Sequence, residues 1–505
     1  MRMVVSRAAN QVLLASSGIF ALCALSHVAR ADQPILLPNS LVISSSTYDN
    51  TRGAVASLQV GSKLAGTAKA TSVATAGNDY VNVWDNAGPD GSFGVTSAIH
   101  LTVVEPHSGH VFHTVSVPTD QVVTSFSSKS ELGLHIAKDS NGPHLVFVAY
   151  AGAGVGAIDV SNSDAVAGQD LTNPVTFAFG SSYAFARTIV SMDAHGNFSY
   201  TPTKAYGGNN GRSALLGSNG LYYAVGNANN GNATAFGASN GTIPDVTETT
   251  GLEVVNPIDG ASSNVAIPAN NSAEVDPLIQ YTPTGTTKAD KPGKDNNYRG
   301  ITEYGGALYF TKGSGSNGKN TVYTVSSLPT LGSAASTTIS VMPGFPDDFA
   351  KLTGGNFTPF AVFFANDTTM YVTDEGSGNS SDVQTHAGLQ KWSLVNGVWQ
   401  LDYILTNGLI GTIDTNLDGA DGAWPDVTTV GLRNLTGVVH GDNVTLYAAT
   451  ATASTSGDNG ADPNKVVVIT DRLDATTPDQ VASESFDVVV GPTYGTVYRG
   501  VGLVN

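Results

Sequence analysis

Cysteine is nearly absent: Cys23 is the only one among 505 residues. A disulfide framework, a thiolate metal site and a cysteine nucleophile are therefore excluded from everything downstream of it. Charged residues make up only 13% of the chain, and Lys plus Arg number 23 against 41 Asp plus Glu. A net charge of −18 argues against general attraction to nucleic acid or to anionic lipid. After residue 25 no stretch of about twenty uninterrupted apolar residues occurs, so no membrane-spanning helix is expected. Also missing are a Gly-x-Ser-x-Gly elbow, a His-Glu-x-x-His pair and a phosphate loop ending in Gly-Lys-Ser/Thr. No organic cofactor is implied.

What is present first is an address. Arg2 and Arg7 form a basic start, Val12 to Leu25 is apolar, and Ala29-Arg30-Ala31 is a small-residue cleavage site. This pattern reads as a cleavable secretory signal over residues 1–31, with the mature chain beginning at Asp32 and destined for secretion or the periplasm. Leu22 precedes Cys23 where lipid attachment wants a small residue, so lipidation is not expected. Loss of Arg2, Arg7 and Arg30 deepens the −18 charge to −21, the balance of an acidic, exported monomer.

The full chain has 57 glycines, and with abundant Asn, Thr, Ser and Val and few Ala/Leu/Glu/Lys runs at helical spacing, residues 32–505 favour strands and tight turns. A turn followed by an apolar-Tyr strand recurs. Asn219-Gly220 precedes Leu221 to Val225, Gly305-Gly306 precedes Ala307 to Thr311, Asn366-Asp367 precedes Met370 to Thr373, and Asp442-Asn443 precedes Val444 to Tyr447. Each turn has a short strand before it: Ser213 to Leu216, Ile301 to Tyr304, Phe360 to Phe364 and Leu435 to Val439. Asn, Asp and Gly tolerate positive φ, so these are hairpins. A weaker member is Leu132 to Ile136 with Leu145 to Val148, and most hairpins are followed by a second strand pair, such as Gln390 to Leu394 with Val398 to Leu405.

Four antiparallel strands per unit is the pattern of a propeller blade. The phrase Tyr298-Arg299-Gly300-Ile301 returns as Tyr498-Arg499-Gly500-Val501, a first strand with no sequel, while Ser40 to Ser46 is a second strand with no predecessor. Pairing the two completes a blade and removes two exposed sheet edges. The expectation is a single all-β domain, a β-propeller of six four-stranded blades closed by its N- and C-terminal strands. Seven blades result if Ala54 to Val60 and Val155 to Val160 belong to one more; a β-sandwich array or β-helix is the alternative. On these repeats the chain resembles secreted β-propellers over residues 40–505, without the Trp-Asp, kelch or Asp-box signature. That resemblance implies a ligand site at the channel mouth or the loops over it.

Residues flanking the innermost strands would meet there. They are Lys129, Arg212, Arg299, Arg433 and Arg499, with Asn227, Lys312, Asp374 and Glu375 at the ends of second strands. Guanidiniums fixed in a low-dielectric funnel hold carboxylate, phosphate or sulfate bidentately, whereas the structural reading has them tying blades together through carbonyls and carboxylates. Two functions follow: binding of an anionic small molecule, glycan or protein at the mouth, or a calcium-assisted hydrolase, lactonase or lyase on the same face. Asp414, Asn416 and Asp418, ahead of Gly419, are spaced as the front of a calcium loop, although Pro425 stands where an EF-hand has its Glu. His100, His107, His110 and His113 cluster in sequence, but Pro106 to Gly109 reads as a hairpin tip that splays them, so solvent-exposed imidazoles are expected there rather than a zinc site.

Overall fold

The computed structural model describes residues 34–47, 75–76, 84–85, 96–126, 128, 130–140, 142–152, 154–155, 160, 185–207, 209–228, 250–258, 270–275, 296–315, 317–353, 357–413, 418–419, 422–423, 426–453 and 462–505. The signal segment, residues 54–60, Lys129, Asp414 and Asn416 lie outside them.

Strands β1 (Ser40–Thr47), β4 (Thr96–Val104), β5 (Val111–Ser116), β6 (Val122–Ser125), β7 (His135–Asp139), β8 (Gly142–Ala151), β9 (Arg187–Met192) and β10 (Phe198–Thr203) share one sheet; the two-residue β2 (Thr75–Ala76) and β3 (Trp84–Asp85) pair apart from it. Three four-stranded antiparallel sheets follow in chain order. The first holds β11 (Gly211–Leu216), β12 (Tyr222–Gly226), β13 (Gly251–Val255) and β14 (Ser272–Glu274). The next holds β15 (Ile301–Tyr304), β16 (Ala307–Lys312), β17 (Thr321–Val325) and β18 (Ser340–Val341). After the one-turn α1 (Ala350–Thr353) come β19 (Pro359–Asn366), β20 (Thr369–Asp374), β21 (Gly388–Val395) and β22 (Val398–Leu405). The last sheet adds a short β23 (Gly411–Ile413) beside β26 (Val427–His440), β27 (Asn443–Ala453), β28 (Val466–Arg472) and β29 (Asp487–Val490); β24 (Asp418–Gly419) and β25 (Gly422–Ala423) form a separate ladder.

The final strand, β30 (Thr496–Val504), leaves this last sheet and pairs antiparallel with β1, Ser40 opposite Val504 and Ile43 opposite Val501. Beyond β1 the order continues through β4 to β5. Strand β6 then bridges to β8, pairing Ser97 with Thr124 on one side and Val123 with Tyr150 on the other. The all-β, propeller-like arrangement of repeated antiparallel sheets expected from the hairpin phrases is what the chain forms. The turns are the expected ones, with Gly220, Gly305, Gly306 and Gly441 all at positive φ.

The core sits between neighbouring sheets. Tyr223 and Leu252 of one sheet pack with Leu308, Phe310 and Tyr323 of the next. Tyr371, Leu389 and Tyr403 pack likewise against Leu432, Leu446 and Ile469. Leu41, Ile43, Val501 and Leu503 of the terminal pair pack on Tyr447, Val466 and Val489. Contacts also run between strands of different sheets, β7 with β11, β11 with β15, β15 with β19, β19 with β26 and β26 with β30, while β30 meets β7 within the large sheet.

That inner packing explains the Tyr-Arg-Gly phrase. Tyr298 is fully buried, edge-on to Phe310 and Tyr323 at centroid distances of 4.6 and 5.3 Å. The glycine lies where the next inner strand's main chain passes, leaving no space for a Cβ.

The β16–β17 connection, residues 313–320, and the β20–β21 connection, residues 375–387, lie at one end of their sheets. Most first-to-second connections, at the opposite end, are tight turns. The asymmetry defines a loop-bearing face.

Candidate functional site

On the loop-bearing face, a cavity of about 850 Å³ opens between the β15–β18 and β19–β22 sheets. Asp374 and Glu375, at the end of β20, line it, with Thr358 beside them. Ser314 and Asn320 come from the β16–β17 connection, Lys351 from α1, and Gln384 and His386 from the β20–β21 connection.

The β20–β21 loop is built by its own side chains. Gln384 Oε1 accepts the Ser377 N–H at 3.0 Å, and its Nε2 donates to Ser377 Oγ at 3.0 Å and to the Asn379 carbonyl at 3.1 Å. Gly376 has φ +79°, and a Cβ there would stand 2.6 Å from Gln384 Oε1, so glycine is required at this bend. Val383 rides on the loop at 87% exposure, the most open large apolar side chain described.

Asp374 is fully buried and its carboxylate is saturated: Oδ2 accepts the Thr358 N–H at 2.9 Å, and Oδ1 accepts the Gly376 N–H at 2.9 Å and the Thr358 hydroxyl. Burial raises its pKa, and these hydrogen bonds oppose the rise. Asp374 thus clasps the start of β19 to the end of β20. Lys312 is also fully buried and donates to the Ser314 carbonyl at 2.9 Å and to Asn320 Oδ1 at 2.8 Å, fixing the wall across the cavity.

Glu375 faces the other way, toward the inner strands. Arg433 Nε approaches its Oε2 at 3.2 Å, and Arg299 Nη2 approaches Oε1 at 3.8 Å. Arg212 donates to Ser130 Oγ at 2.8 Å, to the Tyr298 carbonyl at 3.0 Å and to Asn297. Arg499 donates to the Phe126 carbonyl and sits 3.4 Å from Ser46 Oγ. Arg212, Arg433 and Arg499 lie within first strands, Arg299 just before one, and all four are buried. Their recurrence marks contacts between adjacent units. Burial lowers the pKa of Arg212, and the neighbouring charge of Arg299 lowers it further. Burial also lowers that of Arg299, with Glu375 opposing and Arg433 reinforcing the shift.

The structure thus brings Arg299, Arg433 and Glu375 together, with Arg212 beside them, Asp374 in the cavity lining and Lys312 bonded to the lining residues Ser314 and Asn320. Lys129 falls outside the described residues. Lys351, Gln384 and His386 were not singled out from sequence. For Gln384 and His386 the signal was the length of chain between the Tyr371 and Leu389 strands, at the end opposite the tight turn.

No group of three or more His, Cys, Asp or Glu among the described residues is placed to hold a metal ion. Of the calcium-loop residues only the backbone of Asp418 is described, paired with Ala423. His107, His110 and His113 are exposed along the β4–β5 hairpin, whose turn is closed by Glu105 accepting the Ser108 N–H at 2.6 Å. A second cavity of about 790 Å³ lies at the tight-turn end, lined by His135, His144, Tyr222 and Glu303 among others. No helix among the described residues is long and apolar enough to cross a membrane.

No protein-family model matches the chain, and no curated protein matches it in sequence. Among solved structures it is similar to a PQQ-bound aldose sugar dehydrogenase from Streptomyces coelicolor, with 11% identity over 75% of this chain and 94% of that one and a TM-score of 0.32. It is similar to CoXyl43, a GH43 β-xylosidase/α-arabinofuranosidase from a compost microbial metagenome, with 11% identity over 73% and 92% and a TM-score of 0.32. The endosialidase of phage phi92 matches at 9% identity over 77% and 52%, with a TM-score of 0.29.

Proposed function

We propose that this chain is an exported, closed six-bladed propeller that binds a glycan in the cavity between the β15–β18 and β19–β22 sheets. The nine-stranded sheet divides, on this reading, into blades β30-β1-β4-β5 and β7-β8-β9-β10 joined by β6. The cyclic contact of the six first strands and the β1–β30 ladder support closure. Asp414, Asn416 and Asp418 are proposed as ligands of a structural calcium.

The observation that carries the ligand class is the cavity lining. Ser314, Asn320, Thr358, Ser377, Gln384 and Thr385 present hydroxyls and amides, suited to a neutral polyhydroxy molecule. Asp374, Glu375 and Asp382 on the same walls oppose a strongly anionic ligand. Calorimetric titration with a panel of neutral oligosaccharides tests the assignment. Thr385→Ala and His386→Ala should weaken binding with melting unchanged; wild-type affinity in both variants, or no binding of any neutral sugar, removes it.

The second reading, a hydrolase or lyase, is favoured by one observation: a buried carboxyl of raised pKa, Asp374, lies in the cavity lining next to Glu375. Aryl-glycoside and lactone turnover lost in a folded Asp374→Asn protein would support it. Absence of turnover by the wild type with and without calcium would leave binding alone.

A further inference from the structure

Behind the cavity, three buried guanidiniums share too few carboxylates. Arg212, Arg299 and Arg433 are 4%, 5% and 4% exposed, and Glu375 is the carboxylate that contacts two of them. The next one, Glu131, is occupied: its oxygens accept from Thr124 Oγ1 at 2.7 Å, Ser125 N at 3.1 Å, Asn210 Nδ2 at 2.6 Å and the Tyr150 hydroxyl. Arg299 Nε, buried, has no hydrogen-bond acceptor among the described residues, and its nearest ion-pair oxygen is 3.8 Å from Nη2.

Other buried cations here are treated differently. Lys391 is met by Asp471 at 3.1 Å, the Tyr403 hydroxyl at 3.1 Å and the Ala475 carbonyl at 2.9 Å. Arg187 donates from Nε to the Asn209 carbonyl at 2.9 Å and from Nη1 to that of Phe185 at 2.9 Å. A buried charge is stable only when paired and hydrogen-bonded, and a buried donor without an acceptor retains its full desolvation cost. Arg299 has its ion pair with Glu375 only at 3.8 Å and has no acceptor for Nε among the described residues, and the mutual field of Arg212, Arg299 and Arg433 deepens the deficit.

We infer that a small monovalent anion, a halide or a carboxylate, binds against Arg299 Nε between Arg212 and Arg433, at the inner end of the cavity. This site uses the guanidiniums behind Glu375 rather than the hydroxyl and amide walls, so it stands whether or not the cavity takes a glycan. Glu375 both lines the cavity and touches the cluster, which gives a small ion one carboxylate to pass.

The test is thermal unfolding of the full chain in sodium isethionate, replaced stepwise at constant ionic strength by chloride or by acetate. The expected result is a saturable rise in Tm of several degrees with one or both ions, lost in Arg299→Gln. The two arms distinguish a halide site from a carboxylate site. Should Arg299→Gln fail to fold, Arg299→Lys keeps the charge but removes Nε–H, and should shift the midpoint about tenfold to higher anion. A bromide-soaked crystal should show an anomalous peak beside Arg299. Equal melting in isethionate, chloride and acetate overturns the inference, as does a saturable rise that the Arg299 variants retain unchanged.

Discussion

Gly300 lies directly against the main chain of Phe360: a Cβ at Gly300 would stand 2.3 Å from the Phe360 carbonyl oxygen. Gly500 repeats the relationship with the carbonyl of Leu132, also at 2.3 Å. Neither glycine has positive φ, so the requirement is one of space between first strands of adjacent sheets. Gly300→Ala and Gly500→Ala should each lower unfolding free energy by about 1–3 kcal/mol, the cost of overpacking a dense interior. Urea denaturation measures it. Gly306→Ala is the informative control, because nothing lies within 4 Å of its Cβ position but its φ is +77°. Its cost is backbone strain alone and should be smaller.

Glu375 holds two buried guanidiniums, so its removal leaves them uncompensated. Glu375→Gln keeps the shape and should cost about 3–5 kcal/mol, the range for breaking a buried ion pair from one side. Lys319 and Asp347 form the contrasting pair, with the Asp side chain 64% exposed. Asp347→Asn should change stability by less than about 1 kcal/mol. Equal losses in the two variants would mean that solvent reaches Glu375 freely.

The repeated hairpins were legible because their signal is local: Asn, Asp or Gly at a turn and alternating apolar residues on either side. Observed β15 (Ile301–Tyr304) coincides with the strand read from sequence. The pairing of Ser40 to Ser46 with the tail was legible by subtraction, one strand lacking a predecessor and one a sequel. Burial of the arginines was less so. Sequence spacing placed Arg212, Arg299, Arg433 and Arg499 near a common axis, but whether an axis is open depends on how closely first strands approach. That distance is set by Gly300 and Gly500 touching main chain across hundreds of residues or a sheet boundary. The cavity-lining Gln384 and His386 carry no periodicity, since a loop closed by side-chain to backbone bonds obeys no repeat.

Two titrating groups should tilt stability in opposite directions with pH. Burial lowers the His135 imidazole to about 4, beneath an unfolded value near 6.5, so the fold prefers it neutral. Its contribution is complete above about pH 6.5 and is lost as pH falls toward 4. Burial, and then the hydrogen bond with Asp471, pushes the Glu484 carboxyl up to about 8. That contribution is complete below about pH 4.5 and is lost as pH rises toward 8. Lys391, Arg472, Tyr371 and Tyr403 surround the same carboxyl pair, and Lys391 opposes the shift. Melting curves from pH 4 to pH 8 should therefore show a shallower acid limb in His135→Gln and a shallower alkaline limb in Glu484→Gln. Limbs parallel to wild type in both would place the pH dependence elsewhere.

The last prediction concerns β30. Its residues Val501, Leu503 and Val504 are buried, its ladder with β1 runs from Ser40 opposite Val504 to Thr47 opposite Thr496, and Arg499 reaches the Phe126 carbonyl. Deleting 496–505 would remove the strand that pairs with β1 on that side and expose Leu41 and Ile43, which pack with Tyr447 and Val466. An exposed, apolar strand edge is a template for association between chains. The truncated protein should be recovered as aggregates or as a species cleaved rapidly by protease, with Val466 to Val490 losing amide-exchange protection first. Supplying a peptide of residues 496–505 to the truncated chain should restore part of the soluble, protease-resistant form, because the missing interactions are those of one strand in a fixed register. A truncated chain that melts like the full one would show that the sheets hold without the terminal pair, and that the β1–β30 ladder contributes nothing to stability.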